Sequence, residues 1–183
     1  ARSLVCSKEV IGAAVFIAIK EKLNRYKCSI FKKGLQGLCV RLAEMKIFLS
    51  LKVPRGDAER EAIITHLVDA IRAAGYSPFV ATEEIARTKL TAPKDFIPFV
   101  RDNLADTDLF IVVYHPELRG GLIEVGMAYE RRIPIWLCHK ADEKVSSSMR
   151  GCADVVLTYN DVSELKEKVQ QRLMSSRGGL EVE

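Results

Sequence analysis

A chain of 183 residues, 48% hydrophobic and 28% charged, has enough apolar side chain for one full core and too much for a disordered segment. The net charge of +4 is uneven: residues 1–44 carry nine Lys/Arg against three Glu, and the rest carries nineteen basic against twenty-one acidic side chains, so the main body offers no basic stripe for a nucleic-acid polymer. The five cysteines (Cys6, Cys28, Cys39, Cys138 and Cys152) form no CxxC pair and no ligand spacing with histidine, which argues against a disulfide framework or metal site and for reduced thiols in a cytoplasmic protein.

In chain order, the first long apolar run is "VIGAAVFIAI" at 10–19. Ten residues are too few to span a bilayer, and "KEKLNRYK" follows in place of a small-residue cleavage site, so the run reads as a buried or interfacial helix. Two candidate helices, around 8–25 and 35–44, make residues 1–44 a basic helical extension, and a domain follows over 45–174. "KIFLSLK" (46–52) predicts a buried strand. "DAEREAIITHLVDAIRAAG" (57–75) predicts a helix with Asp57 as N-cap and Gly75 as its stop. "YSPFVA" is a short strand, and "PKDFIPFVRDNLADT" a helix made irregular by Pro98. Then come the apolar strand "DLFIVVY" (108–114), a helix opening in "GGLIEVGMAY" (120–129), and the strand "IPIWLC" (133–138). "ADVVLTY" (153–159) is the last strand and "DVSELKEKVQQRL" (161–173) the last helix; the tail through 175–183 lacks periodicity and reads as loose.

Strands and helices alternate, and the central strands are apolar throughout. That pattern predicts an α/β fold: a flavodoxin-like, Rossmann-like parallel sheet of five strands in the order 2-1-3-4-5, with helices on both faces. Ligands of such sheets bind at the carboxyl ends of the strands, near the switch between strands 1 and 3. The loops "LKVPRGD" and "HPELRGG" and the start of the Glu124 helix are expected to meet there. Glu124 is expected in the first turn of its helix, where a carboxylate complements the dipole. Gly126 weakens that helix by about 0.8–1 kcal/mol relative to Ala, which suggests close approach by backbone or ligand. Gly120 and Gly121 suggest the same.

"GGLIEVGMAYERRIPI" resembles the signature of the nucleoside 2-deoxyribosyltransferase family and the related nucleoside 5′-monophosphate N-glycosidases. "KIFLSLKVPRGDAERE" is similar to that family's first strand and Arg-Gly turn, "ADTDLFIVVY" to its central strand, and "SSSMRGCAD" to an Arg-Gly-small-Ala-Asp segment of the monophosphate hydrolases. The resemblance covers about 46–173. It implies an enzyme whose glutamate, here Glu124, attacks the anomeric carbon of a ribose or deoxyribose, displaces the base and forms a covalent glycosyl-enzyme. Transfer to another base or hydrolysis follows. It implies no cofactor, a small nucleoside or nucleotide as partner, and a homodimer or larger assembly in which a neighbouring subunit completes the site. "MAYERRIPIW" and the Ser146 loop are the expected pairing surface.

The chain departs from that pattern. The family Asp eight residues before Asp108 is Val100, with Asp102 two residues on as a stand-in for protonating or orienting the base. The aromatic hydroxyl of the first strand is Phe48, which removes one hydrogen-bond partner of the nucleophile, and an Asp of the transferases is Leu118. Substrate contacts are expected from Ser50, Arg55, Gly56, Gly120, Gly121, Met127, Ser146 and Arg150; Arg55, Gly56 and the backbone before the next helix, with Ser146–Ser148 and Arg150, can hold a phosphate. His115 can line the pocket mouth, whereas His66 and His139 give no site. The alternative is a non-catalytic nucleotide-binding or sensing module on the same fold.

Overall fold

The computed structural model describes residues 45–90 and 92–178. The two helices and the docking expected of residues 1–44 lie outside these, as do residues 179–183. The elements are β1 (Lys46–Ser50), α1 (Ala58–Ala73), β2 (Ser77–Val80), α2 (Ala81–Arg87), α3 (Pro93–Leu104), β3 (Leu109–Val113), α4 (Gly120–Glu130), β4 (Ile135–Lys140), α5 (Ser147–Gly151), β5 (Val155–Tyr159) and α6 (Val162–Gly178). The five strands form one sheet in the order β2-β1-β3-β4-β5, and every pairing is parallel. The expected fold class is the observed one.

Side-chain alternation along the strands divides the core into two layers. Ile47, Leu49, Ile111, Val113, Trp136 and Cys138 face one way and pack with Ile63, Leu67 and Ile71 of α1 and Leu165, Val169 and Leu173 of α6. Phe48, Phe110, Val112, Ile135 and Leu137 face the other way and pack with Val100 and Leu104 of α3, Val125 and Ala128 of α4, and Met149 of α5. On this second face Phe48 lies between Phe79 and Phe110, with ring centroids 4.9 and 5.3 Å away. Burying such a ring stabilises the fold by roughly 1.5–3 kcal/mol.

Two aspartates just before strands fix their neighbours. Asp108 Oδ2 accepts the Lys46 backbone N–H at 2.9 Å, and Asp154 Oδ2 accepts that of Ile135 at 2.8 Å. Each carboxylate thus completes a ladder one residue beyond the strand. The Asp that opens the central strand therefore has a structural use here.

Helix boundaries follow local chemistry. Asp57 caps α1, its Oδ1 accepting from Arg60 N at 3.2 Å, and Gly75 at φ 73° turns the chain away after Ala74. Pro98 lies inside α3, and Pro93 sits in its first turn, where a missing N–H costs nothing. Three expectations change. β4 runs on past Cys138 through His139 to Lys140. α6 continues to Gly178, so Met174–Gly178 is helical and not a loose tail. The short helices α2 and α5 lie in stretches too brief to show a periodicity.

Candidate active site

α4 begins at Gly120, with no side-chain cap, so Glu124 is its fifth residue and lies in the second turn. The first-turn expectation is corrected: the dipole benefit fades beyond the first turn and is not what governs this carboxylate. Burial does. Burial pushes the Glu124 carboxyl above the ordinary glutamate range, and a hydrogen bond from Ser50 offsets part of that rise. Ser50 is the last residue of β1, 1% exposed, and its hydroxyl donates to Glu124 Oε2. Ser50 lies two residues after Phe48 and so projects from the same face of the strand. The ring of Phe48 has no hydroxyl, but the partner thought lost reappears as Ser50.

The glycines of α4 act differently from one another. A Cβ on Gly121 would stand 2.7–2.8 Å from Cγ and both Cδ atoms of Leu118, which is itself buried. Gly121 therefore lets the loop before α4 fold down onto its first turn. A Cβ on Gly120 or Gly126 would meet nothing within 4 Å among the described residues. Gly126 lies on an exposed stripe with Leu122, Ile123 and Tyr129, which are 49%, 52% and 59% exposed. In "MAYERRIPIW", by contrast, Ala128, Ile133, Ile135 and Trp136 are buried, so most of that stretch's apolar surface faces the core. Met127 is half-buried against the same core layer as Val125.

Val100 is buried in that layer, and Asp102 is exposed at the end of α3, where it pairs with Arg101 at 3.1 Å. The geometry of α3 thus gives Asp102 a solvent-facing ion pair with Arg101, whereas the described hydrogen bond of Glu124 is to Ser50. Arg55 and Gly56, at φ 50° and 80°, are the central residues of a turn closed by Asp57 N–H to Pro54 O at 3.0 Å. Gly56 suits this backbone, Arg55 is strained by it, and both are exposed.

The two loops expected at the crevice do meet, on the α1 face of the sheet. Lys52 pairs with Glu117, and Arg60 Nη2 lies 2.9 Å from His115 Nε2. Burial, then Arg60 and Lys52, hold the His115 imidazole below its ordinary range. Lys52, Arg60 and His115 border a crevice of about 130 Å³ with Asp57, Lys140 and Tyr159. Leu51 and Val113 point into that face, whereas Ser50 and Val112 point to the α4 face. The carboxyl ends of the strands therefore carry polar groups on both faces of the sheet, not one shared cluster.

Ser146 caps α5, its Oγ accepting from Met149 N at 3.2 Å. Arg150, four residues on and exposed, reaches His139 Nε2 at 3.2 Å. His139 is 3% exposed and follows Leu137 on the α4 face. Sequence reading passed over His139 because it ended the strand at Cys138; the alternation, carried two residues further, points the imidazole inward. The neighbouring Cys138 is buried and its thiol is pushed up to about 12, which makes it unreactive. Among the described residues no helix is long and apolar enough to cross a membrane, and no His/Cys/Asp/Glu group could hold a metal ion.

No protein family's profile matches the chain, and no curated protein sequence matches it. Solved structures do share its fold. A CMP N-glycosidase of Clostridium botulinum superposes with a TM-score of 0.57 at 20% identity, over 69% of this chain and 98% of its own. BlsM, known from a solution structure, gives 0.58 at 16% identity, over 76% and 96%. A 2-deoxyribosyltransferase from Bacillus psychrosaccharolyticus gives 0.53 at 15% identity, over 70% and 95%. At these identities the similarity is one of fold, and it extends over nearly the whole length of each of those proteins.

Proposed function

We propose that the chain is a nucleoside or nucleoside 5′-monophosphate N-glycosidase or 2-deoxyribosyltransferase with Glu124 as its nucleophile. The observation that carries this reading is the half-buried Glu124 carboxylate, hydrogen-bonded by Ser50 at the end of β1. The fold shared with an N-glycosidase and a deoxyribosyltransferase supports it. Ser50 occupies Oε2, which leaves Oε1 to attack the anomeric carbon. The C1′–N bond breaks as the C1′–O bond forms, and the base leaves with the bonding electrons and takes a proton from water. Water or a second base then attacks C1′ and returns the carboxylate. Dividing displacement into two steps is what a fixed carboxylate contributes.

A second reading is a nucleotide-binding module without turnover. Val100 in the core and Asp102 on Arg101 favour it, because α3 then supplies no acid to the departing base. A panel of nucleosides and nucleoside monophosphates, followed by chromatography for free base, separates the two. Base release by the parent and its loss in Glu124→Ala, by several orders of magnitude, is the enzymatic outcome. Binding without release is the outcome of the second reading.

A further inference from the structure

Most cations with a fixed position in this domain are neutralised. Lys46 pairs with Asp106, Lys52 with Glu117, Arg60 with Asp57, Lys140 with Glu59 and Lys168 with Glu164. Arg150 is anchored differently. Its Nη2 meets His139 Nε2 at 3.2 Å, and no carboxylate among the described residues pairs with it. The partner is neutral, and the reasoning is one of tautomers. His139 Nδ1 lies 2.7 Å from the Lys140 carbonyl oxygen, which can only accept, so Nδ1 carries the proton. Nε2 is then the acceptor, shared by the Arg150 guanidinium and the Thr158 hydroxyl at 3.4 Å. Burying an imidazole without partners is costly, and here both ring nitrogens are engaged. One N–H of the guanidinium is used in this way, and its full charge remains on an exposed side chain.

We propose that His139 is a positioning residue that holds Arg150, un-neutralised, to receive the anionic group of the substrate, a phosphate monoester. This rests on the nucleotide reading above. A free guanidinium on a five-residue helix would sample many rotamers and lose entropy on binding; one already fixed loses less. Holding it with imidazole and not with carboxylate keeps the charge for the ligand. The α5 helix that carries Arg150 is itself pinned by Met149 in the core layer that contains Val125, next to Glu124.

The test compares the full parent chain with His139→Leu, His139→Gln, Arg150→Gln and Glu124→Gln. Titration calorimetry with AMP, CMP, GMP and UMP, and with the corresponding nucleosides, reads binding; chromatography reads KM and kcat for base release. His139→Leu removes the acceptor and is expected to weaken monophosphate binding about ten-fold, the worth of one hydrogen bond to a charged group, with nucleoside binding unchanged. KM for the monophosphate rises by the same factor and kcat stays within two-fold, roughly. His139→Gln restores an acceptor and returns binding close to the parent. Arg150→Gln with His139→Leu is no worse than Arg150→Gln alone. The proposal is overturned by parent-like monophosphate binding in His139→Leu, by equal losses in the Leu and Gln variants, by equal losses for nucleosides, or by a parent that binds no monophosphate. Should His139→Leu and Arg150→Gln weaken binding while neither the parent nor Glu124→Gln releases base, the glycosidic reading fails and the positioning role stands.

Discussion

Burial raises the pKa of Glu124 and the Ser50 hydroxyl opposes it, so two forces set the pH at which the carboxylate becomes charged. A nucleophile must be ionised. Base release is therefore expected to fall as pH drops through a limb above the ordinary glutamate value of about 4.3. Ser50→Ala removes the opposing force, so the limb moves to higher pH and kcat falls on the order of ten- to a hundred-fold as the carboxylate loses its orientation. A pH–rate profile whose acid limb is unmoved by Ser50→Ala contradicts the assigned role. The same shift affects stability. A carboxyl with a raised folded pKa holds its proton better in the folded chain than in the unfolded one. Stability falls as pH rises from the unfolded value through the folded one, and the loss persists at neutral pH. Glu124→Gln keeps an acceptor for Ser50 without the charge and is expected to stabilise the fold at pH 7, with no gain at pH 3. Chemical denaturation at the two pH values checks it. Of these residues, the Glu-Val-Gly pattern around Glu124 was legible in the sequence. The Ser50 contact was not, because it joins positions 74 residues apart and depends on the register of β1 beside β3.

Among the elements, α4 carries the chemistry and owes its seating to a small residue. Gly121→Ala presses a methyl into Leu118, whose side chain is buried, and is expected to cost about 1–3 kcal/mol as the loop shifts. Gly126→Ala meets open space in a helix interior and is expected to stabilise the isolated chain by about 0.8–1 kcal/mol. Thermal melts of the two variants should move in opposite directions; a destabilised Gly126→Ala would mean that something besides residues 45–178 already rests on that face. The strands were legible because buried parallel strands are continuous apolar runs bounded by turns. The end of β4 was not, since His139 and Lys140 look like a loop until pairing with Thr158 and Tyr159 of β5 holds them in the ladder. α5 was invisible for another reason: five residues contain barely one turn.

For the whole molecule, the exposed stripe of Leu122, Ile123, Gly126 and Tyr129 beside Glu124 is surface that single soluble chains usually cover. We propose that a second copy covers it. Light scattering is expected to report a dimer, and Leu122→Asp with Ile123→Asp to return it to a monomer; an active monomeric parent would remove the claim. We also propose that the catalytic domain starts at Met45, since β1 begins one residue later. A chain beginning at Met45 should fold and keep base release, with a modest loss of thermal stability. An insoluble product would place residues 1–44 in the core.

Covalent attachment of the sugar to one carboxylate is the central claim. The full chain is mixed with a pool of ribo- and 2′-deoxynucleoside 5′-monophosphates, quenched in acid during turnover, digested and read by mass spectrometry. The account expects the peptide that contains Glu124 to gain the mass of a pentosyl phosphate, and the same peptide of Glu124→Gln to gain nothing. Base release that proceeds while Glu124 stays unmodified, or an adduct on another residue, would contradict it.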